Sequence, residues 1–128
     1  MKVSKVLRDF CTMHGISIVQ SNTCPTGISI NNKRIVLNTQ QIEYFEARFD
    51  NAVDTAVLHE IGHWLDSRNY LSREFYLVTI SRNLVSCERK ASEIAVKLGQ
   101  KLGIACNDMM LGYCLEFYEN GTQLDMGV

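Results

Sequence analysis

The chain lacks the features that mark membrane-bound, secreted and nucleic-acid-binding proteins. No apolar run in its 128 residues reaches the roughly 18 residues that a membrane-spanning helix needs. Residues 1–5 lead into a charged helix and not into the apolar core of a signal peptide. There is no basic run, and the net charge of -1 gives no electrostatic footprint for nucleic acid or an anionic membrane. We therefore expect a cytoplasmic protein that binds neither nucleic acid nor a membrane.

The cysteines lack a pairing pattern as well. They form an odd set of five without a CxxC pair, which fits a reducing compartment in which thiols act as small apolar side chains. They are Cys11, Cys24, Cys87, Cys106 and Cys114. A chain of this length buries about two-thirds of its unfolded surface without disulfides. We therefore predict one domain over residues 1–128, in which a metal ion would be functional rather than structural.

The strongest chemical signal is the segment HEIGH at residues 59–63, inside an apolar stretch. Residues four apart on an α-helix differ in direction by about 40°, so His59 and His63 emerge one turn apart on the same face. Glu60 lies at the edge of that face, where it can reach a water molecule but is poorly placed as a third ligand. This HExxH arrangement is typical of zinc metallopeptidases and predicts Zn²⁺ ligands at His59 and His63 and a catalytic base at Glu60.

Three features of this segment allow more than one interpretation. The two histidines could be satisfied core residues, but two unpaired imidazoles on an apolar helix need a shared partner, which a metal supplies. Gly62 costs about 1 kcal/mol relative to Ala in mid-helix, which indicates that a strand or a substrate packs closely there. Asp66 is either an acceptor for a ligand's ring N–H or a surface charge at the end of the helix.

The segments before HEIGH predict a small sheet. Three short β-branched runs are separated by Asn, Pro and Gly, and they predict two or three antiparallel strands, the last two joined by a tight hairpin. The runs are residues 16–19, 27–30 and 34–38. Asp50 or Asn51 is the predicted N-cap of the HEIGH helix. The predicted fold class is α+β, with a short antiparallel sheet packed against this helix and further helices.

Other segments follow helical spacing. They are residues 2–13, 40–48, 87–102 and 108–119. The second is expected at the surface, and the last is either a packing helix or a partner-binding surface. His14, followed by Gly15, is interpreted as the C-terminal cap of the first helix in preference to a metal ligand. Residues 67–85 suit a helix or a buried strand, and we favour a helix.

Catalytic zinc takes three protein ligands and keeps one position for water. Glu88 is the predicted third ligand, because it continues the buried stripe of its helix and an inward carboxylate needs a partner. Glu93 points elsewhere and pairs with Lys97 at i, i+4. The alternatives are Glu74, Asp66 and the softer ligand Cys87.

Three further side chains have predicted supporting roles. Ser92 is close to Glu88 in direction and could hold a ligand by a hydrogen bond. Tyr70 and Tyr76 are candidate donors to the oxyanion of an attacked carbonyl. An extended substrate could also pair with the exposed edge of the small sheet, which would lay its backbone across the metal.

HEIGH, followed after 25 residues by the segment ERKASEIA at 88–95, resembles the ExxA(N/D)xFA element of the ImmA/IrrE metallopeptidases in the gluzincin group. The resemblance covers roughly residues 27–98. It implies a small zincin-like fold with zinc ligands His59, His63 and Glu88 and the catalytic base Glu60. Ser92 stands where the family usually has Asn or Asp.

The family cleaves phage or stress-response repressors, and many members are carried by mobile elements. We therefore expect a zinc metallopeptidase with a narrow-specificity protein or peptide substrate such as a transcriptional repressor. One alternative is a metal-binding regulator or inhibitor of the same fold that acts by association. Another is a deformylase-like amidase, although Cys24 does not resemble the cysteine ligand of that class.

Overall fold

The computed structural model describes residues 1–119, in which six helices accompany a three-stranded sheet. In chain order the elements are α1 (Lys5–Met13), β1 (Ser17–Ser21), β2 (Gly27–Ser29), β3 (Arg34–Asn38), α2 (Thr39–Glu46), α3 (Ala52–Ser67), α4 (Arg73–Arg82), α5 (Leu84–Leu102) and α6 (Asp108–Glu119). This arrangement confirms the α+β class. None of the helices in this part of the chain is both long and apolar enough to span a bilayer.

The sheet is mixed, so the prediction of an antiparallel sheet was wrong for one of its two pairings. The strand order is β1-β3-β2, with Ile28 paired antiparallel to Ile35 and Ile18 paired parallel to the same residue. The chain reverses before β2 and again before β3, so β3 runs in the direction of β1 and lies between the other two strands. Alternating apolar residues predict a strand but carry no information about its direction.

The HEIGH helix α3 forms the centre of the core. Val57, Leu58 and Ile61 are completely buried, which confirms that the helix is enclosed. Asn51 occupies its N-cap position as predicted, but in a left-handed conformation and without a capping hydrogen bond from its side chain. The Asn51 amide instead donates to the carbonyl of Ala105 at 3.1 Å. The side chain of Asp54 accepts a hydrogen bond from the Ser4 N–H, which joins α3 to the start of α1.

The predicted helices are confirmed, including the ambiguous segment that forms α4. The hydroxyl of Ser72 caps α4 by accepting from the Phe75 N–H at 3.0 Å, and this local interaction favours the helix over a strand. Helix α2 is less of a surface helix than predicted, since Ile42 and Phe45 are fully buried. Helix α6 packs through Met110, Leu111 and Cys114, so it is a packing helix.

Gly62 marks the closest approach of α3 to α5. A Cβ atom added at Gly62 would overlap the carbonyl oxygen of Ala91 and lie 3.0 Å from its carbonyl carbon. The tight packing at Gly62 is therefore against the backbone of a helix, and the predicted contact with a strand or a substrate was wrong. Only glycine lets the two backbones come this close. The contact brings α5 against the face of α3 that carries His59 and His63.

Candidate metal centre

Helices α3 and α5 bring three side chains together. The Nε2 atom of His59 lies 2.7 Å from Oε2 of Glu88, and Nε2 of His63 lies 3.2 Å from the same oxygen. The two imidazole rings are 4.8 Å apart and nearly perpendicular. Glu88 and His63 are buried, and His59 is partly exposed. The sequence placed all three residues at one site, and the structure brings them together.

The other nitrogen of each imidazole is held by a hydroxyl group. Nδ1 of His59 lies 3.1 Å from Oγ of Ser92 on α5, and Nδ1 of His63 lies 2.9 Å from the hydroxyl of Tyr76 on α4. Hydrogen bonds of this kind fix the ring orientation and the tautomer of metal-binding histidines. Both Nε2 atoms are therefore directed at the Glu88 carboxylate. The predicted hydrogen bond between Ser92 and a candidate ligand is present.

The Glu88 carboxylate and the imidazoles perturb one another's protonation. Burial alone would raise the pKa of Glu88, but hydrogen bonds from His59 and His63 outweigh it and lower the pKa to about 2. Burial alone would lower the pKa of His63, but its hydrogen bond with Glu88 and the negative charges of Glu88, Glu60 and Asp66 together outweigh that effect and raise the pKa. The buried Glu88 carboxylate is therefore ionised at neutral pH.

The donor set suits a tetrahedral divalent cation. Zinc bound at about 2.0–2.1 Å to nitrogen and oxygen ligands needs ligand atoms roughly 3.3 Å apart. The ligand atoms of His59, His63 and Glu88 all lie within 4.8 Å of one another. The two distances from Oε2 of Glu88 to the histidine Nε2 atoms, 2.7 and 3.2 Å, are close to the roughly 3.3 Å that zinc needs. Two imidazoles and one carboxylate are a ligand set found in catalytic zinc sites, where a fourth position is open. The cluster could therefore hold a metal ion.

Glu60 faces the same cleft but lies outside the ligand cluster. The cleft has a volume of about 200 Å³, and its floor combines Glu60 with the three candidate ligands. Burial raises the pKa of Glu60, and the nearby charges of His59 and His63 act in the opposite direction. A carboxylate with a raised pKa accepts protons more readily than an ordinary glutamate.

None of the alternative third ligands belongs to the cluster that the described part of the chain forms. Glu74 is exposed at the start of α4. Cys87 is buried, and burial raises the pKa of its thiol, which disfavours the thiolate that binds metals. Asp66 is neither a surface charge nor an acceptor for His63, because it is buried and Tyr76 occupies Nδ1 of His63. Within residues 1–119, Oδ2 of Asp66 has no hydrogen-bond partner.

Of the two candidate oxyanion donors, Tyr76 lines the cleft, and Tyr70 does not belong to its described lining. The hydroxyl of Tyr76 contacts the ring nitrogen of His63 that points away from Glu88, and its side chain is fully buried. Tyr70 lines a separate pocket beside Trp64. Helical spacing cannot reveal the contact between Tyr76 and His63, because it depends on how α4 packs against α3. His14 caps α1 as predicted, and its ring packs near Trp64.

The edge strand β2 forms one wall of the cleft. Gly27 and Ile28 of β2 line it together with Leu77 and Ile80 of α4. Because β2 is the last strand in the order β1-β3-β2, its outer side pairs with no strand in residues 1–119. An unpaired strand edge offers backbone N–H and C=O groups to an extended peptide.

Comparison with known proteins does not assign the chain to a family. No protein-family model matches it, and neither does any curated protein or solved structure. The function must therefore be inferred from the geometry of the site.

Proposed function

We propose that this protein is a zinc-dependent metallopeptidase of the HExxH type with a zincin-like fold related to the ImmA/IrrE group. The observation that carries the proposal is that Glu60 shares one cleft with the His59, His63 and Glu88 cluster. A structural metal site needs only its ligands. An acidic side chain beside the ligands, in a cleft open to solvent, supports hydrolytic chemistry instead.

His59, His63 and Glu88 would hold Zn²⁺, which would supply a Lewis acid able to polarise the peptide carbonyl and to lower the pKa of water towards about 7. Glu60 accepts the proton of the attacking water on its carboxylate and then passes that proton to the nitrogen of the leaving amine. Ser92 and Tyr76 keep the His59 and His63 rings in place throughout. Their hydrogen bonds reduce the reorganisation that the site must undergo during the reaction.

The substrate class follows from the wall of the cleft. We propose that a polypeptide in extended conformation adds to the outer edge of β2 at residues 27–29, which lays its backbone across the cluster. Backbone pairing of this kind suits peptide bonds better than small amides, and it supports a peptidase over a deformylase-like amidase.

Narrow specificity is proposed on the size of the site. The cleft of about 200 Å³ is smaller than the roughly 300–1,000 Å³ of typical small-molecule sites. A second pocket beside Glu60 and Glu88 has room for only about 20 Å³ and is lined by apolar side chains, among them Phe45 and Met110. A bulky substrate side chain does not fit there. One regulatory protein, such as a cytoplasmic transcriptional repressor, is the proposed substrate.

The test compares the wild-type protein with Glu60→Gln, both loaded with one equivalent of Zn²⁺. Each is incubated with a proteome-derived peptide mixture, and new N-termini are identified by mass spectrometry. We expect a small set of related cleavage sites with the wild type and none with the variant, although both bind zinc. Chelation of the wild type should abolish the same cleavages.

Two results would contradict the proposal. Cleavage that survives in Glu60→Gln would show that Glu60 is not the base. The second is a zinc-loaded wild-type protein that cleaves no peptide but binds a regulatory protein without cleaving it. That result would favour regulation by association over proteolysis.

A further inference from the structure

A third and larger pocket lies outside the metal cleft and is lined by positively charged side chains. Its volume is about 650 Å³, and four cationic or potentially cationic side chains line it: His14, Lys33, Arg68 and Arg73. The described lining contains no Asp or Glu. We call it the basic pocket. Because the whole chain has a net charge of only -1, this concentration of positive charge is local.

No carboxylate in the described part of the chain neutralises the cations of the basic pocket. In residues 1–119, Lys33, Arg68 and Arg73 take part in no ion pair. Nζ of Lys33 donates to the carbonyl oxygen of His14 at 3.3 Å, and one nitrogen of Arg73 lies 3.4 Å from the side-chain oxygen of Asn31. Most of the N–H donors of the three side chains remain available to a ligand.

Trp64 positions two of these cations. Nζ of Lys33 lies 5.6 Å from the centre of its indole ring, and Cζ of Arg68 lies 5.3 Å from it. Cation–π contacts at these distances restrain long side chains that would otherwise spread into solvent. Trp64 itself is buried, with 7% of its surface exposed, so the ring supports the cations and is not accessible for stacking.

The basic pocket adjoins the metal cleft. Ile30, which follows β2, lines both of them. Across the same boundary, the ring of Tyr70 in the basic pocket packs 4.9 Å from the ring of Tyr76 in the cleft. A polypeptide paired with β2, as proposed above, would therefore extend from the cluster towards the basic pocket.

We propose that the basic pocket binds an acidic segment of the polypeptide that the metal cleft acts on. The role of this polypeptide as substrate rests on the proposed function, whereas the binding of an acidic segment does not. Several cations around a wide pocket suit carboxylates spaced along a chain. Nucleic acid is disfavoured, because Trp64 is buried and Tyr70 is only partly exposed, which leaves little aromatic surface in the described lining to stack on bases.

Trp64 is the only tryptophan in the chain, so its fluorescence reports directly on the basic pocket. The full-length protein is titrated with an end-blocked peptide of four consecutive glutamates and, separately, with the matching peptide of four glutamines. We expect a saturable change in Trp64 fluorescence with the glutamate peptide only. Raising the salt concentration should weaken it, because exposed charges are screened.

The variants Lys33→Gln/Arg68→Gln and, separately, Arg73→Gln test the assignment. The double variant should bind the glutamate peptide about fourfold more weakly, at about twofold for each exposed ion pair. Arg73→Gln leaves the contacts of Trp64 intact and should cost about twofold. The matched control, Lys97→Gln/Lys101→Gln, removes the same charge from the exposed side of α5 and should bind like the wild type.

Three outcomes would overturn the inference. The first is no response of Trp64 to the glutamate peptide. The second is equal weakening in the α5 control, which would mean attraction by net charge alone. The third is tighter binding of inorganic phosphate or a single-stranded oligonucleotide than of the peptide. None of these measurements requires hydrolysis. Each of the three outcomes would therefore contradict the binding of an acidic segment and leave the metallopeptidase proposal unaffected.

Discussion

The packing of α3 against α5 makes Gly62→Ala the sharpest test of the fold. The added methyl group would overlap the Ala91 carbonyl oxygen, and it would also lie 3.1 Å from the Ala91 Cα. These are backbone atoms, which cannot rotate away as the end of a side chain could. The two helices must therefore separate, and Glu88 and Ser92 must move with α5 away from the histidines.

The expected magnitude combines two opposing effects. Replacing Gly by Ala in mid-helix favours folding by about 1 kcal/mol. Overpacking a well-packed core typically costs about 1–3 kcal/mol, and a clash between backbones belongs at the upper end of that range. The net effect at Gly62 should be a loss of about 2 kcal/mol in the free energy of unfolding, together with weaker zinc binding.

Urea denaturation and a zinc titration measure the two effects. Gly112→Ala is the matched control, because Gly112 is an exposed position inside α6 where an added Cβ meets no atom within 4 Å. The control should be at least as stable as the wild type, by up to about 1 kcal/mol. If Gly62→Ala is also stabilised and keeps the wild-type zinc affinity, the close approach of α3 and α5 described above is wrong.

Three further predictions concern the cluster. Glu88→Gln should lower zinc affinity by more than about 100-fold, as measured by competition with a fluorescent chelator, whereas the exposed Glu93→Gln should leave it unchanged. Ser92→Ala and Tyr76→Phe should each lower zinc affinity by about 10–100-fold in the same assay, and wild-type affinity in both would contradict a supporting role for the hydroxyls. In the metal-free protein the stabilisation contributed by Glu88 and His63 should be complete between about pH 4.5 and 6.5, because the part from the lowered pKa of Glu88 is lost as the pH falls towards 2 and the part from the raised pKa of His63 is lost as the pH rises. Zinc-loaded protein should instead gain stability from about pH 6 to 8, since the ligands bind zinc in their deprotonated forms, and thermal unfolding across this range with and without chelator compares the two.

Helical spacing accounts for most of what could be predicted about the cluster. His59 and His63 share a face of α3 because they are four residues apart, and Glu88 lies on the buried stripe of α5 for the same periodic reason. Ser92, one turn after Glu88, follows from that spacing too. These predictions needed only the direction of side chains along one helix at a time.

Contacts between elements were harder to predict. The role of Tyr76 depends on α4 crossing α3, and the close approach at Gly62 depends on α5 lying against that residue. The parallel pairing of β1 with β3 depends on which strand occupies the middle of the sheet. None of these arrangements produces a regular spacing of residues that the sequence would reveal.

The sequence by itself determined the helices, the three strands and the residue types that can hold a metal ion, because each of these follows from local periodicity and side-chain chemistry. Only the tertiary structure decided that Tyr76 supports His63, that Asp66 is buried and that Lys33, Arg68 and Arg73 surround one pocket. Such groupings join residues far apart in the chain, and the packing of whole helices and strands sets the distances between them.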